Sequence, residues 1–211
     1  MIEDLRRDDL LHRRSFVGFA AAALALLIPR RAGAQTSEQA GLIEDVNGQG
    51  FAEAGLARRA LAREAPVFIA DRVRTAEASR LTLQLGRRTR VRLGENARVT
   101  IDRYLVDAGG EITLEAGAML FDRPAGAPPT PVQVRSPFGL IAVRGTRFFA
   151  GPSAGLFGVF VQRGRVVVSG GGQEVTLQQG QGTDIRYPGG PPTPPKTWGD
   201  GRIRAALDSV A

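Results

Sequence analysis

The chain has 211 residues, with 28 Lys and Arg against 21 Asp and Glu, 43% hydrophobic residues, one His and no Cys. That length suits one ordinary domain with tails. The sole histidine, His12, falls in a segment read below as removable, so the working domain would hold neither His nor Cys. Thiol nucleophiles, a Ser-His-Asp triad and zinc or copper sites built on imidazole or thiolate are thereby excluded.

The first 34 residues have the three parts of an export signal. A mixed-charge start leads to His12-Arg13-Arg14-Ser15-Phe16, an apolar run reaches Ile28, and Arg30-Arg31 precede Ala32-Gly33-Ala34. The run from Phe16 to Ile28, at about 1.5 Å per residue, falls short of a ~30 Å hydrocarbon core and reads as a signal core, not a span. Arg13-Arg14 before Ser15 and Phe16 resembles the twin-arginine signal, a bacterial route for folded proteins. Ala32 and Ala34 put small side chains where a signal peptidase requires them. The expectation is a periplasmic protein cleaved after Ala34 with no stable membrane span, an uncleaved short anchor being the alternative. Six arginines and four acids lie before residue 35, so 22 basic and 17 acidic groups remain. An exported basic protein meets anionic lipid, wall polymers and acidic protein surfaces, and no nucleic-acid role is expected.

Helix propensity alone favours a helix over Ala52–Ala65, rich in Ala, Leu, Arg and Glu. Val67, Ile69 and Val73 then return to a β pattern. From Leu81 onward apolar residues recur at period two: Leu81, Leu83, Leu85; Val91, Leu93; Val99, Ile101; Ile112, Leu114. Such alternation predicts half-buried strands. Breaks fall at Gly86, at 94–96 and at 109–110. After a proline-rich loop at 123–131, further runs follow at 132–135, 140–143, 158–162, 165–169, 174–178 and 183–187. The fold class is therefore all-β, a meander of short strands forming a sandwich, roll or solenoid-like stack. Tyr187–Pro195 reads as an extended Pro/Gly linker poor in hydrogen bonds. Trp198, Ile203, Leu207 and Val210 set an apolar stripe on a short helix, expected to dock on the sheet. The chain divides into a signal (1–34), a β domain (35–187), a linker (188–197) and a C-terminal helix (198–211).

Candidate sites are few. Arg88, Arg90 and Arg92 are a candidate basic partner face, and with Arg87 they extend into a stripe with Arg72 and Arg74 if those strands adjoin, an ordinary solvated face being the alternative. Glu111 and Glu115 share a predicted strand face, the minimum for glycoside hydrolysis, but exposed strand acids normally pair with neighbouring arginines. No run of oxygen ligands suggests calcium, and no metal or cofactor is expected.

One stretch carries a family resemblance. Val134-Arg135-Ser136-Pro137-Phe138-Gly139, followed by Ile141-Ala142-Val143-Arg144-Gly145-Thr146-Arg147-Phe148, resembles the central signature of the FecR domain family. Residues 159–168, with Gly164 at their turn, look like that family's hairpin, and Val175–Gln181, with Gly180, like its closing strand and turn. The similarity spans about residues 41–186. It implies an exported, non-catalytic sensing or interaction domain whose partner is an envelope protein such as a membrane sensor or regulator. Only 12 residues precede Arg13, so no anti-sigma segment is expected there, and the effect would pass through another protein. Read as residues, Pro137 and Gly139 set a tight turn, Val143 and Phe148 point inward, and Gly145 serves a conformation or close approach barred to a Cβ. Arg144 reads as a fastener between sheet edges. The alternative is a cell-wall or carbohydrate-associated β protein. Oligomeric state is not legible.

Overall fold

The computed structural model describes residues 38–105, 109–124, 126, 131–143 and 145–211. The export-signal residues Arg13, Arg14, Ala32 and Ala34, and signature residue Arg144, lie outside this set. The rest is a two-sheet β sandwich closed by one short helix.

The chain alternates between the sheets. It opens in sheet I with β1 (Gln39–Asn47), crosses to sheet II for β2 (Gly50–Ala54) and β3 (Ala57–Leu61), returns for β4 (Pro66–Phe68) and crosses again for β5 (Arg72–Thr75). Sheet I takes β6 (Arg80–Leu85) and β7 (Thr89–Leu93), and sheet II takes β8 (Arg98–Leu105) and β9 (Gly109–Ala116). Next come β10 (Met119–Asp122) in sheet I, then β11 (Val132–Ser136) and β12 (Gly139–Val143) in sheet II. Sheet I continues with β13 (Arg147–Ser153) and β14 (Leu156–Arg163), sheet II with β15 (Arg165–Gly170) and β16 (Gln173–Gln178). Finally β17 (Gln181–Ile185) and β18 (Lys196–Thr197) rejoin sheet I before α1 (Asp200–Asp208). Apart from β4 and β3, which lie outside β1 and β2 at the first edges, both sheets grow in chain order, as a solenoid-like stack does. Described neighbours pair antiparallel except β9 with β11, which run parallel because β10 detours to the other sheet between them.

The period-two pattern shows why. In β6, Leu81, Leu83 and Leu85 are buried while Thr82 and Gln84 are only half-buried. They join Val91, Leu93, Val99, Ile101, Ile112 and Leu114 in one continuous core between the sheets. At about 25 cal/mol per Å² of apolar surface, this burial is the main favourable term of folding.

Three readings change. The helix-favouring stretch Ala52–Ala65 forms instead the β2–β3 hairpin and the turn beyond it. Ala52 faces the core, the Arg58 guanidinium lies 3.8 Å from the centre of the Phe51 ring, and Arg59 pairs with buried Asp71. Cross-strand contacts override a propensity worth only tenths of a kcal/mol per residue.

The linker is a fastened strap, not a bond-poor tether. Gly189 N–H donates to the Pro137 carbonyl and Thr193 N–H to the Asp184 carbonyl, both at 2.9 Å, and β18 pairs with β17.

Alternation also fails in β10 and β14, where Met119, Leu120 and Phe121, and residues 157–161, are all buried. Here α1 covers the outer face of sheet I, forming a second cluster of Leu120, Phe149, Phe160, Trp198, Ala206 and Val210. A nine-residue helix with no side-chain N-cap and no basic residue in its last turn is marginal alone, so its docking holds it. Trp198 fills a slot made by two glycines: a Cβ on Gly158 or Gly182 would stand 2.8 or 2.3 Å from its ring.

Candidate partner-binding site

The two ends of the sandwich are built differently, and the signature contributes to both. At one end, Gly145 has φ +61° with open space where a Cβ would stand, so conformation rather than close approach requires glycine there. Thr146 is buried and its carbonyl accepts the Arg123 N–H at 2.9 Å. Gly164, with φ +87°, packs so closely that a Cβ would meet Thr146 Cγ2 at 2.7 Å. Phe148 is fully buried beside Phe121, ring centres 5.3 Å apart. Asp122 bonds Arg147 at 3.2 Å and Arg163 at 2.8 Å, and Arg163 also reaches the Arg123 carbonyl at 3.0 Å. Gly180 turns the chain from β16 to β17, its N–H on the Val161 carbonyl at 2.9 Å and its carbonyl taking the Trp198 N–H at 3.3 Å. This closed end is held by these backbone bonds and by Asp122, although among the described residues Thr146 Oγ1 and the Nε atoms of Arg147 and Arg163 are buried with no hydrogen-bond partner.

The opposite end opens into a half-open, mainly apolar cleft of about 340 Å³. Turns from both sheets shape it: Pro137 and Phe138 between β11 and β12, Pro152 to Leu156 between β13 and β14, and Ala116 and Gly117 after β9. Phe138 stacks on Phe157, centres 4.4 Å apart and planes within 6°. The Phe138 turn is held from three sides. Ser136 Oγ accepts the Phe138 N–H at 3.2 Å and donates to the Gly139 carbonyl at 3.1 Å. A Cβ on Gly139 would collide with the Ser169 carbonyl at 2.3 Å, and the strap bonds Pro137 through Gly189. Arg186 lines the cleft and has no ion-pair or hydrogen-bond partner among the described residues, and Tyr187 after it in the chain is 59% exposed.

The strap that frames this end is pinned by Asp184, whose carboxylate is buried. Lys196 donates to it at 2.6 Å, and Arg202 donates to both its oxygens while stacking 3.6 Å from the Trp198 ring and bonding Ser153 Oγ at 3.0 Å. Burial alone would raise the carboxyl pKa, but the bonds from Arg202 and Lys196 outweigh it and leave the pKa below the usual carboxylate value.

The remaining candidates resolve as follows. Arg90 and Arg92 lie on the outer face of sheet I, whereas Arg72 and Arg74 lie on the outer face of sheet II, so no continuous stripe forms. Arg90 bonds Glu44 at 2.6 Å, which raises its pKa further, and Arg88 donates to the Gly126 carbonyl at 3.0 Å. Glu111 pairs with Arg135, and Glu115 bonds Arg72 at 2.9 Å and Thr100 at 2.6 Å, so both are partners of neighbouring side chains. Trp198 lies beneath α1 and offers no sugar platform. Among the described residues no cluster of three His, Cys, Asp or Glu could hold a metal, and no helix is long and apolar enough to cross a membrane. Sequence reasoning missed Phe138, Leu156, Phe157 and Arg186 as a group. The available signal was an aromatic residue at the apex of a Pro-Phe-Gly turn, which apolar periodicity leaves without a buried role.

Comparison with known proteins agrees with this architecture. Residues 71–167, from just before β5 into β15, match the family model described as FecR protein. Two crystal structures of a candidate anti-sigma factor from Parabacteroides distasonis ATCC 8503 superpose with TM-scores of 0.54 and 0.53 at 17% identity, each over 64% of this chain. The match spans 64% and 63% of those chains, less than two thirds of their length. At that identity the likeness is one of fold. No curated protein matches.

Proposed function

We propose that this FecR domain serves a non-catalytic signalling protein of the periplasm, which acts by engaging an envelope partner such as the extracytoplasmic part of a membrane sensor. The observation that carries the reading is the FecR segment itself, set in a sandwich with a pre-formed apolar cleft at one end. Support for a regulatory role comes from the family match and from the description of the two structural neighbours. The export signal read from Arg13-Arg14 and Ala32-Gly33-Ala34 supports a periplasmic site of action. A pre-formed apolar cleft favours recognition because little ordering entropy is lost on binding.

The test is the intact mass of the protein from periplasmic and membrane fractions, for the native chain and an Arg13→Lys, Arg14→Lys variant. A soluble form beginning at Gln35, lost in the variant, supports folded export. An uncleaved membrane form contradicts it and restores the short-anchor alternative.

A further inference from the structure

We propose that the cleft between the Phe138 and Leu156 turns is a socket for a protein segment in which a bulky apolar side chain is followed closely by a carboxylate. The apolar group seats on the Phe138–Phe157 stack and the carboxylate meets Arg186. This rests on the reading that the domain engages a protein partner.

Size and shape come first. A volume of about 340 Å³ is near the lower end of ligand sites, about 300–1,000 Å³, and holds one or two large side chains. Because the cleft is open on its outer side, a free small molecule would keep one flank in water. A side chain presented by another protein brings its own cover, as apolar anchors of interfaces do.

Charge selects the neighbour of that anchor. Most arginines near this region already have carboxylates: Arg72 and Arg98 with Glu115, Arg135 with Glu111, Arg202 with Asp184. Arg186 has none. Glu115, the acid in the cleft lining, is committed to Arg72 and Thr100 and leaves the guanidinium unneutralised. A single cation in a mainly apolar lining that also holds an acid, Glu115, favours a single carboxylate over a polyanionic surface. Arg is also a residue type in which binding energy concentrates, and Arg186 is in the cleft lining. Fixing of the Phe138 turn by Ser136, Gly139 and Gly189 keeps the floor in place before any partner arrives.

The full chain as exported is titrated, by backbone amide NMR, with an acetylated and amidated pentapeptide carrying leucine then aspartate between serines. Shifts are expected at Phe138, Gly139, Gly155, Leu156 and Arg186, with at least a fivefold loss of affinity when the peptide's leucine becomes serine or its aspartate becomes lysine. Arg186→Glu should invert the preference towards the lysine peptide without moving the thermal midpoint, since its side chain is exposed and unpaired. Arg186→Gln, which keeps the stem, should bind both peptides about equally. Shifts elsewhere, no shifts, or equal binding of the aspartate and lysine peptides to the native chain would overturn the proposal. So would saturable binding of sodium octanoate in the absence of peptide binding, which would make the cleft an amphiphile site. A photo-crosslinking residue at position 152 separates the two readings. If the peptide fails while that position still captures an envelope protein, only the socket chemistry is wrong; if both fail, the partner-binding reading falls too.

Discussion

The two ends of the sandwich are made from the same signature and put to opposite use. Pro137-Phe138-Gly139 goes to the open end, Gly145-Thr146 and Phe148 to the closed one, with β12 as the spacer between them. At the closed end the described signature residues pack into the fold: the Thr146 carbonyl holds Arg123, Gly164 accommodates Thr146, Phe148 lies against Phe121, and Asp122 ties two arginines. At the open end the backbone is equally well fixed, yet the side chains Phe138, Leu156 and Arg186 face a void. Rigid backbone with unspent side chains is what recognition requires, and rigid backbone with spent side chains is what stability requires.

Substitutions should separate the ends, beginning with the largest effect. Phe148→Ala removes a fully buried ring beside Phe121 and should cost about 3–5 kcal/mol in urea unfolding, enough to threaten the fold. A small loss there would show that the closed end is not the fastener described. Trp198→Ala empties the Gly158–Gly182 slot and should cost about 3 kcal/mol while freeing α1 and the strap, which amide exchange in residues 188–211 would report.

Strong acid should loosen the strap that Asp184 pins. The folded pKa of Asp184 is depressed, so its stabilising contribution is complete above the unfolded carboxylate value of about 3.9 and is lost as pH falls through the lower folded value. Fluorescence of Trp198, the chain's sole tryptophan, should change in that window, and the change should vanish in Asp184→Asn. An identical acid transition in the variant would remove Asp184 from the explanation. The smallest effect on stability belongs to Arg186→Glu, within about 0.5 kcal/mol, because the side chain is exposed and unpaired. A large loss would show that Arg186 supports the fold.

Legibility in the sequence followed the same division. Strands with one wet face, such as Leu81–Leu85 and Thr89–Leu93, were read correctly because alternation is a local signal. β10 and β14 broke the rule because a helix much further along the chain, Asp200–Asp208, covers their second face, and strands buried on both faces lose their period. Ala52–Ala65 misled because propensity is weak beside cross-strand packing. The arginine stripe failed because which sheet a strand joins is set by the crossovers, so Arg72 and Arg90 lie on opposite faces. The cleft gathers residues from 114 to 186 through the ends of several hairpins, and no sequence window contains it.

The central claim is that the open end, not the closed one, meets the partner. A photo-crosslinking residue placed at exposed position 152 beside the cleft, or at exposed position 165 at the closed end, tests it in living cells. The expected result is a discrete envelope-protein adduct from position 152 and none from position 165, with the adduct lost in the Arg186→Glu background. An adduct from position 165 alone would contradict the claim and make the closed end the binding surface.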